Sequence, residues 1–313
     1  MRLWRLLLLP ALTAALWLPA AALADDAAPI LRSAQALLHR QDWKAAAAGF
    51  ESALQLTPLD AGAHFGLALA RRGAGDLTGA IGSANTALRL RPAFDEARLA
   101  LGLMLQQRGD AAAAIVQYKL VLARDPRSAQ AHNWLGVAYM QKNQLADAVA
   151  AFRAAIRLQP DFVRAHNNLG STLAQAGDLQ AGIEAFQAGL RYAPADLQLR
   201  LNLGTALRTK GEPEAAIREF ETVLRVNPDN HEVHHQLGLA LRERGDLDAA
   251  LRSFETALRL NPEYREGYYV LGATLKQMAA SARRAPGASQ PEAAEAHQAR
   301  GLAQVAGAVP WKS

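Results

Sequence analysis

The chain has 313 residues, with 34 lysines and arginines against 29 acids and no cysteine. The missing cysteine excludes structural disulfides, a thiolate nucleophile, cysteine-held zinc, covalent c-type haem and a lipid-bearing amino-terminal cysteine. The formal charge of +5 is spread thinly, with no run of lysine or arginine longer than two residues, so no nucleic-acid footprint is expected.

The chain begins with a basic start, Arg2 and Arg5, followed by an apolar run from Leu6 to Ala24 that closes Ala22-Leu23-Ala24 before Asp25-Asp26. This order describes a secretory signal peptide, residues 1–24, cut after Ala24. The alternative is an uncleaved amino-terminal anchor facing the periplasm, because the run approaches the roughly 20 residues that span a bilayer. Pro10, Pro19 and the small residues before Asp25 favour cleavage, and with it a periplasmic or secreted protein without a membrane span. Removing the segment leaves 32 basic and 29 acidic residues, a formal charge of +3.

From Ala27 to Tyr264 the sequence repeats every 34 residues. Prolines mark the step at Pro58, Pro92, Pro126, Pro160, Pro194, Pro228 and Pro262. Small residues keep it at Ala34, Ala68, Gly102, Gly136, Gly170, Gly204, Gly238 and Gly272, and again at Ala46, Ala80, Ala114, Ala148, Gly182, Ala216 and Ala250. The units are 27–60, 61–94, 95–128, 129–162, 163–196, 197–230 and 231–264. Such self-similarity marks a repeat architecture.

Within each unit, apolar residues recur at helical spacing, first on one face and then on another. Most units place Gly then an acid between the faces: Gly75-Asp76, Gly109-Asp110, Gly177-Asp178, Gly211-Glu212 and Gly245-Asp246. The glycine is expected to end a first helix in the left-handed conformation and the acid to open a second. The proline stops that second helix. Each unit is therefore a helical hairpin, with an aromatic (Phe50, Tyr118, Phe152, Phe186, Phe220, Phe254) filling the space beside the small residues. The first unit is irregular at its front, and the second has Ala84 where its siblings carry the aromatic, which predicts a softer joint between them.

An eighth first helix begins at Arg265 and the pattern then breaks. Residues 279–290 read as a loop around Pro286-Gly287. Pro291 opens a helix over 292–305 that is expected to cover the end of the stack. A mobile tail is the alternative.

The 34-residue period, the W-x-x-L-G type segment His166-Asn167-Asn168-Leu169-Gly170 and the A…F…A…P spacing resemble the tetratricopeptide repeat family. The resemblance implies an all-α fold, a right-handed superhelical solenoid of helix-turn-helix repeats whose first helices line a concave groove. It also implies that the second, fifth, ninth, twelfth and thirteenth residues of each unit face that groove. The candidate partner-binding residues are Asn133, Asn167, Asn168, Asn202, Arg208, His235, Arg242, Tyr269 and Lys276. Asn168 and Asn202 are similar to the asparagine ladder of O-linked N-acetylglucosamine transferases, which holds a peptide backbone. An amide suits that task because it both donates and accepts. Arg208, Arg242 and Lys276 form a basic line that attracts carboxylates, partly offset by Glu232, Glu243 and Glu266. The Lys–Asn–Asn–Lys–Arg set of chaperone-binding relatives is not present.

His64, His132, His166 and His234 share the fourth slot of their units, so a repeated packing position is expected rather than metal ligation. No phosphate loop, nucleophile elbow or zinc helix motif occurs. The sequence thus predicts a non-catalytic adaptor without cofactor or metal, binding an extended segment of a protein partner in the periplasm or envelope. It is expected to work within a multi-protein complex. The runner-up is a scaffold subunit for polysaccharide secretion or modification.

Overall fold

The structure, a computed structural model, describes residues 20–284. The signal segment up to Pro19 and the expected carboxyl-terminal helix and tail lie outside the described residues, as does the expected loop from 285 onward. The first part of that loop, 279–284, is helical instead, because the chain there carries no proline or glycine to stop the preceding helix. Within them the protein is all-α. Fifteen helices follow one another as helix-turn-helix pairs. They are α1 (Ala20–His39), α2 (Trp43–Leu56), α3 (Ala61–Gly73), α4 (Leu77–Leu90), α5 (Asp95–Gln107), α6 (Ala111–Arg124), α7 (Ala129–Gln141), α8 (Leu145–Leu158), α9 (Val163–Gln175), α10 (Leu179–Tyr192), α11 (Leu197–Lys210), α12 (Pro213–Val226), α13 (His231–Arg244), α14 (Leu247–Leu260) and α15 (Arg265–Arg284). None is long and apolar enough to cross a membrane.

The turns inside the pairs form as their residues dictate. The five glycines before the acids all take φ near +90°, where a Cβ would be strained. The first and fourth units lack that glycine, and Gln41 and Asn143 adopt positive φ in its place. Asp76, Asp110, Asp178 and Asp246 then accept from a backbone N–H in the first turn of the helix they open. Each satisfies a donor that the helix geometry leaves over. Glu212 makes no such bond. It meets Lys210 Nζ at 2.6 Å instead, and Pro213 opens α12, where the missing N–H costs nothing.

The chain divides into two compact units, one ending at Lys142 and one beginning at Asn143. In the first, Ala34, Ala46, Phe50, Ala63, Leu67 and Ala70 form an apolar cluster. Phe50 lies over Gly66 of the next repeat, where an added Cβ would stand 2.4 Å from its ring. At the joint where Ala84 replaces an aromatic, Ala68 and Ala84 are both fully buried. There Arg71 bridges Glu51 at 2.8 Å and Ser83 at 3.0 Å. In the second unit the core runs through Phe186, Phe220 and Phe254. Each ring sits on the small residue of its own first helix, so a Cβ at Gly170, Gly204 or Gly238 would fall within 2.7 Å of it. Burying each ring contributes about 1.5–3 kcal/mol, and glycine is what brings it that close.

Candidate functional site

The groove candidates sit on first helices, and their contacts follow one register. In the second unit Asn202 Nδ2 donates to Asn167 Oδ1 at 2.7 Å. Arg208 Nη1 meets Glu243 Oε1 at 2.6 Å. In the first unit Gln106 Nε2 donates to Gln141 Oε1 at 3.1 Å. All three pairs are 35 residues apart: one period plus one. A fifth-slot residue thus meets the sixth slot of the following repeat, and a twelfth-slot residue meets the thirteenth.

Where the register joins an apolar residue to a polar one, the polar atom is left over. Gln236 stands 35 residues after Leu201, and its Oε1 is buried without a partner. Trp134 stands 35 after Leu99, and its Nε1–H is buried and unmet. His235 is followed in register by Val270, and its Nδ1 is likewise unmet. Burial lowers the His235 pKa below the usual histidine range; Glu266 opposes this, while Arg208, Arg242 and His231 reinforce it. Burial thus favours the neutral ring, which is set edge-on to Tyr264 at 5.0 Å and tilted against Phe254 at 5.7 Å.

The structure distributes the candidates over different depths. Asn133 and His235 are 1% and 5% exposed, inside the helix packing rather than on its surface. Asn167, Asn168, Asn202, Arg208 and Arg242 are half-buried, and Lys276 is exposed. Tyr269 is 81% exposed. Asn167 and Asn202 are brought together, and Gln198 Nε2 steadies Asn202 Oδ1 at 3.1 Å. The basic line is interrupted, because Arg208 is already held by Glu243.

The first unit carries a cleft of about 450 Å³ lined by Arg72, Leu103, Gln106, Gln107, Trp134, Val137 and Gln141. Its floor is fixed by a buried chain of bonds: the Tyr118 hydroxyl donates to Gln106 Oε1, and Gln106 donates on to Gln141. Burial drives the Tyr118 phenol pKa far upward, so it remains a donor. The twelfth- and thirteenth-slot rule puts Gln106 and Gln141 on the groove, but it does not reveal this lock. A tyrosine where its siblings carry phenylalanine was the available signal.

The fourth-slot histidines correct the packing expectation. His64, His132, His166 and His234 each turn Nε2 to the carbonyl of the proline six residues earlier, at 2.8–3.0 Å. A carbonyl only accepts, so each ring carries its proton on Nε2. Arg98 and Arg200 occupy the same slot and reach Pro92 and Pro194 in the same way, at 2.8 and 2.7 Å. The slot selects a side-chain donor for the inter-repeat turn, which is why histidine or arginine stands there in six successive repeats. His231 meets Asn261 at 3.1 Å. Among the described residues no three metal-ligating groups converge.

Comparison with known proteins agrees with this geometry. A family described as "Tetratricopeptide repeat" matches residues 31–93, 70–120, 201–264 and 235–277, more than half of the chain. Related descriptions match 102–143 and 137–177 ("TPR repeat") and 163–196 ("Tetratricopeptide repeat"). No curated protein matches. Among solved structures, MamA is 26% identical with a TM-score of 0.50, covering 55% of this chain and 94% of its own. A tetratricopeptide repeat protein from Parabacteroides merdae is 16% identical with a TM-score of 0.62, over 80% of this chain and 99% of its own. YrrB, described as a TPR protein with an unusual peptide-binding site, is 18% identical with a TM-score of 0.52, over 60% of this chain and 96% of its own. Repeats of this kind are scaffolds for protein–protein interaction and typically not catalysts. On its period, its paired helices and the families it matches, the chain belongs to the tetratricopeptide repeat family.

Proposed function

We propose that this repeat scaffold is an adaptor of the periplasm or cell envelope that holds an extended segment of a partner protein against its first helices, without chemistry of its own. The observation that carries the reading is the Asn167–Asn202 pair. Their mutual bond uses one donor of Asn202 and the oxygen of Asn167, so the Asn167 amide N–H groups remain to meet backbone carbonyls. Because the pair is already oriented, less rotamer entropy is lost on binding. Aromatic platforms for sugar are scarce: Phe65 is packed edge-on against Phe94 at 5.0 Å and Trp134 is half-buried. That leaves Tyr269 and favours a peptide over a polysaccharide.

Export rests on the sequence of the first 24 residues. Cutting after Ala24 is compatible with the packing of α1, because Ala27 and Ala34, at 1% and 0% exposure, lie beyond the cut. The envelope fraction should therefore hold a chain beginning at Asp25, read by amino-terminal sequencing. An intact Met1 there would instead favour the anchor.

The groove is tested by affinity capture from an envelope extract with the tagged chain, beside a variant carrying Asn168→Ala, Asn202→Ala, Arg208→Ala and Arg242→Ala. A partner retained by the unaltered chain and depleted at least tenfold by the variant, with helicity unchanged, supports the reading. Equal recovery by both would move binding away from these residues.

A further inference from the structure

Twelfth-slot cations differ in whether the chain itself answers their charge. In the second unit Arg208 is answered by Glu243 at 2.6 Å, whereas Arg242 is followed in register by the uncharged Gln277. In the first, Arg72 holds the same slot, but the residue 35 further on is Gln107, which carries no charge. Arg72 is half-buried and takes part in no ion pair among the described residues. The cleft it lines contains no acid. A guanidinium screened from water on one side by apolar walls attracts a carboxylate more strongly than one fully in solvent.

Two of the three glutamine oxygens in the cleft already accept a bond. Gln106 Oε1 is taken by the Tyr118 hydroxyl, and Gln141 Oε1 by Gln106 Nε2. What remains for a ligand is the Gln141 amide N–H pair, the amide of Gln107 and the Arg72 fork. The indole of Trp134 adds a donor that nothing in the chain meets, since its register partner is Leu99. Indole N–H donates only, and a buried donor without an acceptor is costly to leave unmet. Leu103 and Val137 supply apolar wall between these donors.

We propose that this cleft is an acid-selective subsite, which seats the aspartate or glutamate side chain of an extended protein segment. The carboxylate lies on Arg72, its methylenes lie against Leu103 and Val137, and a rotation of the indole brings the buried Trp134 N–H to the remaining oxygen. The inference rests on the groove reading above and adds the chemistry of one bound residue. Arg72 thereby chooses the partner by charge, while the Asn167–Asn202 amides hold backbone without choosing. A volume of about 450 Å³ falls within the roughly 300–1,000 Å³ of ordinary ligand sites.

The test pans the full chain against a display library of random nonapeptides held between fixed flanks, so that no peptide has a free carboxyl terminus. The best binder is then made with blocked ends and measured by fluorescence anisotropy, beside its Glu→Gln (or Asp→Asn) analogue. Enriched peptides should share one acidic position, and neutralising it should weaken binding about tenfold, as loss of a charge-assisted bond does. Arg72→Gln should bring the two peptides within about twofold of each other. Trp134→Phe keeps the ring, loses the N–H and should weaken the acidic peptide alone, by about threefold or more.

Enrichment without an acidic position, or discrimination that survives Arg72→Gln, would overturn the subsite and leave the groove reading standing. The same peptide with a free carboxyl terminus separates the two sources of carboxylate. If only that form responds to Arg72→Gln, the side-chain assignment falls in favour of a chain end. Failure of the library to yield any binder would overturn the subsite and the groove reading together.

Discussion

At the scale of single residues, the buried hydroxyl of Tyr118 separates structure from binding in the first unit. It is fully buried and donates to Gln106, whereas the other repeats with an aromatic there carry phenylalanine. Burial raises its pKa above the ordinary value of 10.0, so the folded state prefers the neutral phenol. As pH climbs past about 10 the unfolded chain loses this proton while the folded chain keeps it. Stability then falls by up to about 1.4 kcal/mol per pH unit from this group. Below pH 10 the group contributes no pH dependence. Tyr118→Phe should flatten the part of the alkaline decline that this phenol supplies. It should also lower the neutral-pH stability by about 1–3 kcal/mol, because Gln106 Oε1 loses its donor in a buried place. Urea titrations at pH 7.5 and pH 11 measure both, and an alkaline slope unchanged by the substitution would refute the assignment.

The elements join through turns whose proline carbonyls are bonded by side chains of the next helix. This part of the fold was only half legible in the sequence. The prolines and the fourth-slot histidines were visible at their fixed step, but histidine also suits an apolar slot, so packing was the natural expectation. Arg98 and Arg200 were the telling members, since a guanidinium in the same slot points to a donor role beside packing. His166→Ala should destabilise by about 1 kcal/mol, the net value of one such bond, plus whatever is lost from its stacking on Tyr192 at 5.8 Å. Arg200→Ala should cost more, because Arg200 also pairs with Glu219 at 2.7 Å in a half-buried setting. His166→Gln, which keeps an N–H donor, should recover part of the loss. Melting temperatures of the three variants place them in order; a harmless His166→Ala would show that the carbonyl is as well served by water.

Across the whole molecule, the 34-residue period made the helices and their order readable, because helix ends are set by local residues that recur. The 35-residue register was not readable, since it depends on which face of one first helix meets the next. With it went the depth of Asn133 and His235 and the unmet atoms of Trp134 and Gln236. The division at Lys142 and Asn143 was equally hidden, as the period runs through it unbroken. Its faint mark is Asn143 in place of the turn glycine, and Gln41 shows that such a replacement does not mark a division by itself.

In a repeat array, stability is a sum of local terms and nearest-neighbour interfaces, which predicts how far damage travels within the second unit. Gly182 is the sharpest place to ask. A Cβ there would stand 2.9 Å from the backbone oxygen of Gly170 and 3.3 Å from the nitrogen of Ala174. Both are main-chain atoms of α9, which have no rotamer with which to yield, so Gly182→Ala should force α9 and α10 apart at a cost of about 1–3 kcal/mol. Hydrogen exchange of the full chain should show the largest loss of protection in α9 and α10. A smaller loss should follow in α11 and α12, and little in α13 and α14, where Phe254 and its neighbours are untouched. Equal loss over every helix from α8 to α14 would mean that the second unit opens all at once. The additive picture, and with it the idea that each repeat presents its groove residues independently, would then have to be given up.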